Sequence, residues 1–359
     1  MPYDVGDCVA DFTLTSAEGK LVTLSDVCGV PHVLLFLPRE KHFDPSLIKD
    51  FTKLHREFEE LRTPVFAIQS GTCDRLNAID SALESDPSEM PFPLLLDSEG
   101  QIGSDYVAVR FKAVLIDMNN RVARLYESAD FSTQAAAQIL SDVKALLHRE
   151  EPRQMIQQAP VLLIPNVISH EFCRELIQVW ETRGNEISGF MKQVGGETVN
   201  QHDHNHKIRR DHFVQIGSIL HKRISDFIGR RITGEVYKAF NFHCTRQEQI
   251  KIACYDSASG GYFRPHRDNT TSATAHRRFA CSLLLNDDYE GGYLRFPEYG
   301  PHLYRPQAGS AAVFSCSLLH EATDVTAGRR FVLVTFLYSE IEAKMREEYN
   351  RHSGGTYRA

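Results

Sequence analysis

No two of the eight cysteines are spaced C-x-x-C, and they are scattered through 359 residues. That excludes a zinc ribbon and a secreted disulfide scaffold. No stretch is long and apolar enough to cross a membrane. The start, MPYDVGDCVADF, lacks the basic residues and apolar run of a signal peptide. The chain is therefore expected in the cytoplasm, with reduced thiols and no membrane partner. It also lacks any excess of basic charge: 40 Lys and Arg stand against 47 Asp and Glu, a net charge of −7. Bulk electrostatics thus give no reason to expect a nucleic-acid partner. No internal repeat is present. At this length one hydrophobic core is not expected to serve the whole chain, and two domains are.

The two halves follow different patterns. Residues 1–148 alternate strand-like and helix-like stretches. "HVLLFLP" (32–38) and "PVFAIQ" (64–69) are short apolar runs that predict buried strands. Between them, Asp44-Pro45 offers a helix start, and apolar residues at 47, 48, 51, 54, 58 and 61 mark one helix face. A second helix is expected over 72–84. "FKAVLID" (111–117) and "VARLYE" predict a hairpin around Asn119-Asn120, and "STQAAAQILSDVKALLH" a closing helix. This order argues for an α/β sheet with helices on both faces. Residues 149–160 are polar with two prolines and predict a linker. Beyond it, "ISHEFCRELIQVWETRG" predicts a helix capped by Ser169 and closed at Gly184, and "HFVQIGSILHKRISDFIGRRI" holds another. From about 236 onward, short strands separated by turns suggest a sandwich, jelly roll or barrel over 161–340. Residues 341–359 form a charged tail, first helical and then Gly-rich.

"GYFRPHRDNT" (261–270) places His266 and Asp268 two residues apart, a spacing that puts both on one side of an extended strand. H-x-D alone decides nothing, since His42-Phe43-Asp44 repeats it. That copy has no matching His and Arg after it in its own half. The second does: His320 ends an apolar stretch and Arg330 follows ten residues later. Two imidazoles and one carboxylate can cap one face of an octahedral ferrous ion and leave positions open for a 2-oxo acid and O₂. A guanidinium suits the far carboxylate of such an acid. Of the adjacent pair Arg329 and Arg330, strand alternation lets only one point inward.

H-x-D, a distant His and an Arg ten residues on, within "KIACYDSASGGYFRPHRD", "LLLNDDYEGGYLRFPEYG", "PQAGSAAVFSC" and "HEATDVTAGRRFVLVTF", resemble the Fe(II)/2-oxoglutarate-dependent dioxygenases of the prolyl 4-hydroxylase type over about 159–340. The resemblance implies a double-stranded β-helix (jelly roll), with His266, Asp268 and His320 as iron ligands. It implies Arg330 as the clamp for the 2-oxoglutarate side-chain carboxylate, with Tyr255, eleven residues before His266, as a further contact. It also implies O₂ as co-substrate, ascorbate as an accessory reductant, and hydroxylation of a small-molecule or peptidyl substrate with release of succinate and CO₂. An acidic ligand at 268 favours hydroxylation over halogenation.

"VGDCVADFTLTSAEGKLVTLSDVCGVPHVLLFLPRE" and "FPLLLDSEGQIGSDYVAVRFKAVLID" resemble the peroxiredoxin (alkyl hydroperoxide reductase/thiol-specific antioxidant) family, which implies a thioredoxin-like fold for 1–148. That family places a Thr and the peroxide-reacting Cys four and seven residues after the proline matching Pro38, where this chain has His42 and Pro45. No cysteine lies between Cys28 and Cys73. Without a thiolate nucleophile there, ordinary peroxidase activity is not expected. The domain is read as a scaffold for homodimerisation, substrate delivery or lid support. A peroxidase or redox partner acting through Cys73, and a binding module with a dead iron site, are the competing readings. The histidine-rich stretch 200–213, with His202, His204, His206 and His212, is read as a polar loop near the active-site mouth. There Arg209, Arg210 or Asp211 either meet substrate or are merely solvated. Arg264 is an anion contact or a plain surface charge.

Overall fold

The computed structural model describes residues 2–37, 46–70, 90–106, 111–127, 134–147 and 154–352. By its internal contacts the chain divides into two units, Met1–Pro152 and Arg153–Ala359. The predicted helix at 72–84, Cys73, the His42-Phe43-Asp44 copy, Pro45 and the Gly-rich tail lie outside the described residues.

The first unit is built on a seven-stranded sheet. Its centre is His32–Phe36, Val65–Ser70 and Leu94–Asp97, parallel to one another; Phe111–Ile116 runs antiparallel beside His32–Phe36, and Val122–Glu127 pairs antiparallel with Phe111–Ile116. Alternate residues of the apolar runs serve opposite faces. Val33, Leu35 and Leu115 pack with the helices Ser46–Lys53, His55–Glu60 and Ala135–Leu147. Leu34, Phe36 and Ile116 pack on the other face around Tyr106, beside the short helix Gln101–Asp105. This is the thioredoxin-like α/β fold. One helix was expected across 46–61 and two form, because the backbone at Leu54 leaves helical geometry (φ −98°, ψ 5°) while Ile48, Phe51 and Phe58 stay on one buried face.

The second unit is a jelly roll of two sheets. The larger, nine-stranded sheet is centred on the antiparallel strands Phe279–Leu284, Val325–Tyr338 and Lys251–Asp256. The smaller holds Lys207–Ile208, Tyr262–His266, His320–Ala322, Leu294–Arg295 and Leu303–Tyr304. Side chains alternate again. Ile252, Cys254, Phe331 and Leu333 face the helices His170–Thr182, Ile219–Arg231 and Thr233–Phe240, while Ala253, Tyr255 and Val332 face the interior between the sheets. Ser169 caps its helix as read, its hydroxyl accepting from the Phe172 amide at 3.1 Å.

One expectation is borne out and one is corrected. The helix expected within 212–232 is Ile219–Arg231. Arg210–Phe213 is a strand paired with Lys251–Asp256, and Ser218 caps the helix that follows Gly217 (φ +80°). The stretch 200–213 is correspondingly not a loop, since it carries strands at Lys207–Ile208 and Arg210–Phe213. Thr233–Phe240 is a helix that the sequence reading passed over.

Candidate active site

His266 is the last residue of Tyr262–His266 and His320 the first of His320–Ala322; the strands are antiparallel and the two residues are register partners. Their ring centroids lie 4.3 Å apart. Each Nδ1 meets a backbone carbonyl two residues upstream, Arg264 O at 2.8 Å and Leu318 O at 3.0 Å. Those carbonyls accept an N–H, which fixes the tautomer and leaves both Nε2 lone pairs free. The Nε2 atoms lie 3.5 and 3.4 Å from the two carboxylate oxygens of Asp268. Among the described residues these three form the group of His, Cys, Asp or Glu whose donor atoms converge within 4.8 Å.

The strand geometry assumed for H-x-D does not hold. Asp268 lies beyond the end of the strand and is placed by its own amide, which donates to Cys316 O at 3.0 Å, and by Arg277, whose Nη1 donates to the Asp268 carbonyl at 3.2 Å. His320 opens a strand and does not end one, because Cys316 to Leu319 form a turn after Ala311–Ser315. Arg330 sits inside the long strand Val325–Tyr338 and does not open it.

Burial, with the His320 imidazole alongside, pulls His266 down to about 4, so its ring is neutral at neutral pH. Burial alone would raise the Asp268 carboxyl, but the His320 and His266 rings beside it outweigh that and hold it below the usual carboxylate range. The set presents two imidazole nitrogens and one anion, the donor chemistry of a divalent first-row cation. Phe263 stacks on His266 with centroids 3.4 Å apart, and Phe314 packs edge-on against His320 at 4.6 Å. The rings have little freedom to turn.

The three side chains line a cavity of about 470 Å³ between the sheets, together with Tyr255 and Arg330. Tyr255 and Arg330 are register partners, the guanidinium carbon 5.1 Å from the phenol ring centroid. Arg330 is 4% exposed, its Nε has no hydrogen-bond partner, and among the described residues it has no ion pair. A buried guanidinium without a counter-anion is costly, so this end of the cavity is built to receive one. Arg329 points the other way and pairs with Glu181 at 2.8 Å.

The remaining candidates separate. Arg209 and Asp211 are buried and joined by a two-pronged ion pair of 2.7 and 2.6 Å, with Arg209 also donating to the Tyr255 hydroxyl at 3.3 Å. Arg209 lines the cavity, and Asp211 is buried with it. Arg210 donates to Asn185 Oδ1 at 2.5 Å on the outside. Arg264 pairs with Asp324 at 2.8 and 3.0 Å near the surface. Of the histidines in 200–213, His206 lines the cavity with its ring 6.4 Å from that of His266, whereas His212 bonds Gly184 O at 2.7 Å. The reading passed over Lys207, Lys251 and the buried pair Glu248–Arg277 (2.7 and 2.9 Å). The signal for Lys251 was period two: Lys251 and Tyr255 fall on one face of the strand Lys251–Asp256.

The 2OG-Fe(II) oxygenase superfamily matches residues 250–338, and the AhpC/TSA family matches residues 5–133. Among curated proteins, the multifunctional procollagen lysine hydroxylase and glycosyltransferase of Caenorhabditis elegans is 26% identical over 196 residues, which is 52% of this chain and 25% of that protein. A PKHD-type hydroxylase of Psychrobacter is 38% identical over 67 residues, 18% of this chain and 26% of that protein. The chain therefore spans about a quarter of the length of these relatives. A solved prolyl hydroxylase from Trichoplax adhaerens, in complex with a hypoxia inducible factor peptide, is 16% identical with a TM-score of 0.42, covering 53% of this chain and 87% of that one.

Proposed function

Since this chain carries a 2OG-Fe(II) oxygenase domain behind an AhpC/TSA domain, we propose that it is a Fe(II)- and 2-oxoglutarate-dependent dioxygenase that hydroxylates a C–H of a free or peptidyl amino acid. The observation that carries this reading is the pairing of two features in one cavity: three convergent donors and, on the facing sheet, a buried arginine with no anion of its own.

In this reading His266, Asp268 and His320 hold the iron through two Nε2 atoms and one carboxylate. Bound there, ferrous iron supplies the oxygen chemistry that protein side chains lack. The chain's own residues do the rest. The backbone carbonyls of Arg264 and Leu318 keep each imidazole proton on Nδ1. Arg330 binds the distal carboxylate of 2-oxoglutarate, and Tyr255, held by Arg209, flanks it. Fixing that carboxylate orients the 2-oxo acid group toward the three donors, a positional effect. The hairpin Phe190–Val194 and Glu197–Gln201 overhangs the cavity; Gln193 Oε1 accepts from the Ser272 amide at 3.1 Å, and Thr198 Oγ1 accepts from the Ala273 amide at 3.2 Å. It limits access of water to the site.

The test is 2-oxoglutarate turnover to succinate by the full chain with added Fe(II). Turnover should be lost in His266→Ala and fall by at least about thirtyfold in kcat/KM in Arg330→Ala, since removing a buried charge partner costs about 2–5 kcal/mol. Turnover indifferent to both changes would remove the basis for the reading.

A further inference from the structure

Resting on that reading, we propose that the substrate is an acid, bound through a carboxylate by Lys251. The cavity contains more positive charge than iron chemistry and 2-oxoglutarate require. Arg209 is matched by Asp211 and Arg277 by Glu248. Lys207 has no carboxylate of its own, but two of its three N–H groups are used, by Ser188 Oγ and Gly189 O, each at 2.7 Å. Lys251 is different. It lines the cavity, and among the described residues its ammonium makes no ion pair and no hydrogen bond; its near neighbour is the ring of Phe213, 5.3 Å from the centroid. Burial, with the Arg277 charge next in effect, lowers its pKa; Asp211 and Glu248 act the other way but are bonded to Arg209 and Arg277, so a bound anion would offset part of the cost of holding the cation there.

The position of Lys251 separates this anion from the one at Arg330. Tyr255 is the register partner of Arg330 and Lys251 that of Val334. Lys251 and Tyr255 lie four residues apart on the same strand and share its inner face, a separation of about 13 Å between α-carbons. The two cations mark opposite ends of the inner sheet face and serve two different anions. Lys251 stands at the end where Arg277 holds the Asp268 carbonyl, so an acid held there lies beside the converging donors. With three unused N–H donors, a lysine suits a carboxylate as a compact point charge.

The experiment uses the full chain with Zn(II) in place of iron and saturating 2-oxoglutarate, and follows ¹⁹F NMR of 3,3,3-trifluoropropanoate and of its amide. The acid should bind saturably while 2-oxoglutarate is present, and the amide should not. Affinity for the acid should fall at least tenfold in Lys251→Met and return to within about threefold in Lys251→Arg. The affinity for 2-oxoglutarate should be the same in all three proteins, which also shows that the variants fold. No saturable binding of the acid, equal binding of acid and amide, or equal binding to Lys251→Met overturns the proposal. A 2-oxoglutarate affinity that falls with Lys251→Met overturns it too, because Lys251 would then serve the co-substrate. If 2-oxoglutarate fails to bind while the acid still depends on Lys251, the oxygenase reading falls and the carboxylate site stands.

Discussion

Arg329 and Arg330 are neighbours in sequence and opposites in environment. Period two sends one out to Glu181 and the other into the cavity beside Tyr255. That much was legible from "RRFVLVTF" alone, because alternation along a strand is the one geometric rule a sequence states directly. The same rule failed for His266 and Asp268. The strand ends at His266, and Asp268 takes its place from contacts with Cys316 and Arg277, residues far from it in sequence that no local pattern announces. The two arginines give a paired prediction. Arg330→Met should raise the 2-oxoglutarate dissociation constant by about thirtyfold or more, at roughly 2–5 kcal/mol for a buried charge partner. Arg329→Met should change it less than about twofold, since an exposed pair contributes about 0–1 kcal/mol to stability and touches no ligand. Calorimetric titration of both variants reads the contrast directly.

Strands and helices were legible where the apolar pattern was long. "KIACYD" is a strand over the predicted residues, and Ser169 caps its helix. Where the next helix starts was not legible, because "HFVQIGSIL" carries apolar residues compatible with either period; Gly217 and the Ser218 cap set the start at Ile219. Positions where one element closes on another were not legible at all. Gly292 (φ +60°) is such a point: a Cβ there would stand 2.8 Å from Arg330 Cδ and 2.9 Å from Val325 Cγ2. Gly292→Ala should therefore displace the Arg330 side chain, raising KM for 2-oxoglutarate about tenfold while Fe(II) retention stays unchanged. Loss of iron along with the KM change would show that the substitution had disturbed the whole sheet. Glu248→Gln tests the support behind Asp268. It leaves Arg277 buried without an anion, so the chain should lose about 3–5 kcal/mol in urea unfolding.

At the level of the molecule, the two halves were distinguishable from their different grammars, and each core is complete within its own unit. The first unit carries a pH response of its own. His32 is fully buried, Nε2 has no partner, and burial lowers its pKa from 6.5 to about 4. As pH falls below 6.5 the unfolded chain takes up a proton that the folded unit refuses. Stability is therefore flat above 6.5 and declines from there toward pH 4, by up to about 1.4 kcal/mol per pH unit. Hydrogen exchange of Val65–Ser70 at pH 7 and pH 5 should show the loss, and His32→Gln should flatten it. Peroxide consumption by the full chain is expected to be absent. Turnover that disappears in Cys73→Ser would return the first unit to catalysis.

The central claim is that His266, Asp268 and His320 hold iron beside an Arg330 that holds 2-oxoglutarate. An anaerobic titration with Fe(II) and then 2-oxoglutarate, followed by visible absorbance, tests it most directly. The account predicts a metal-to-ligand band in the wild type, absent from Asp268→Ala and His320→Ala and needing far more 2-oxoglutarate in Arg330→Met. A folded protein that retains no iron and shows no band would contradict it.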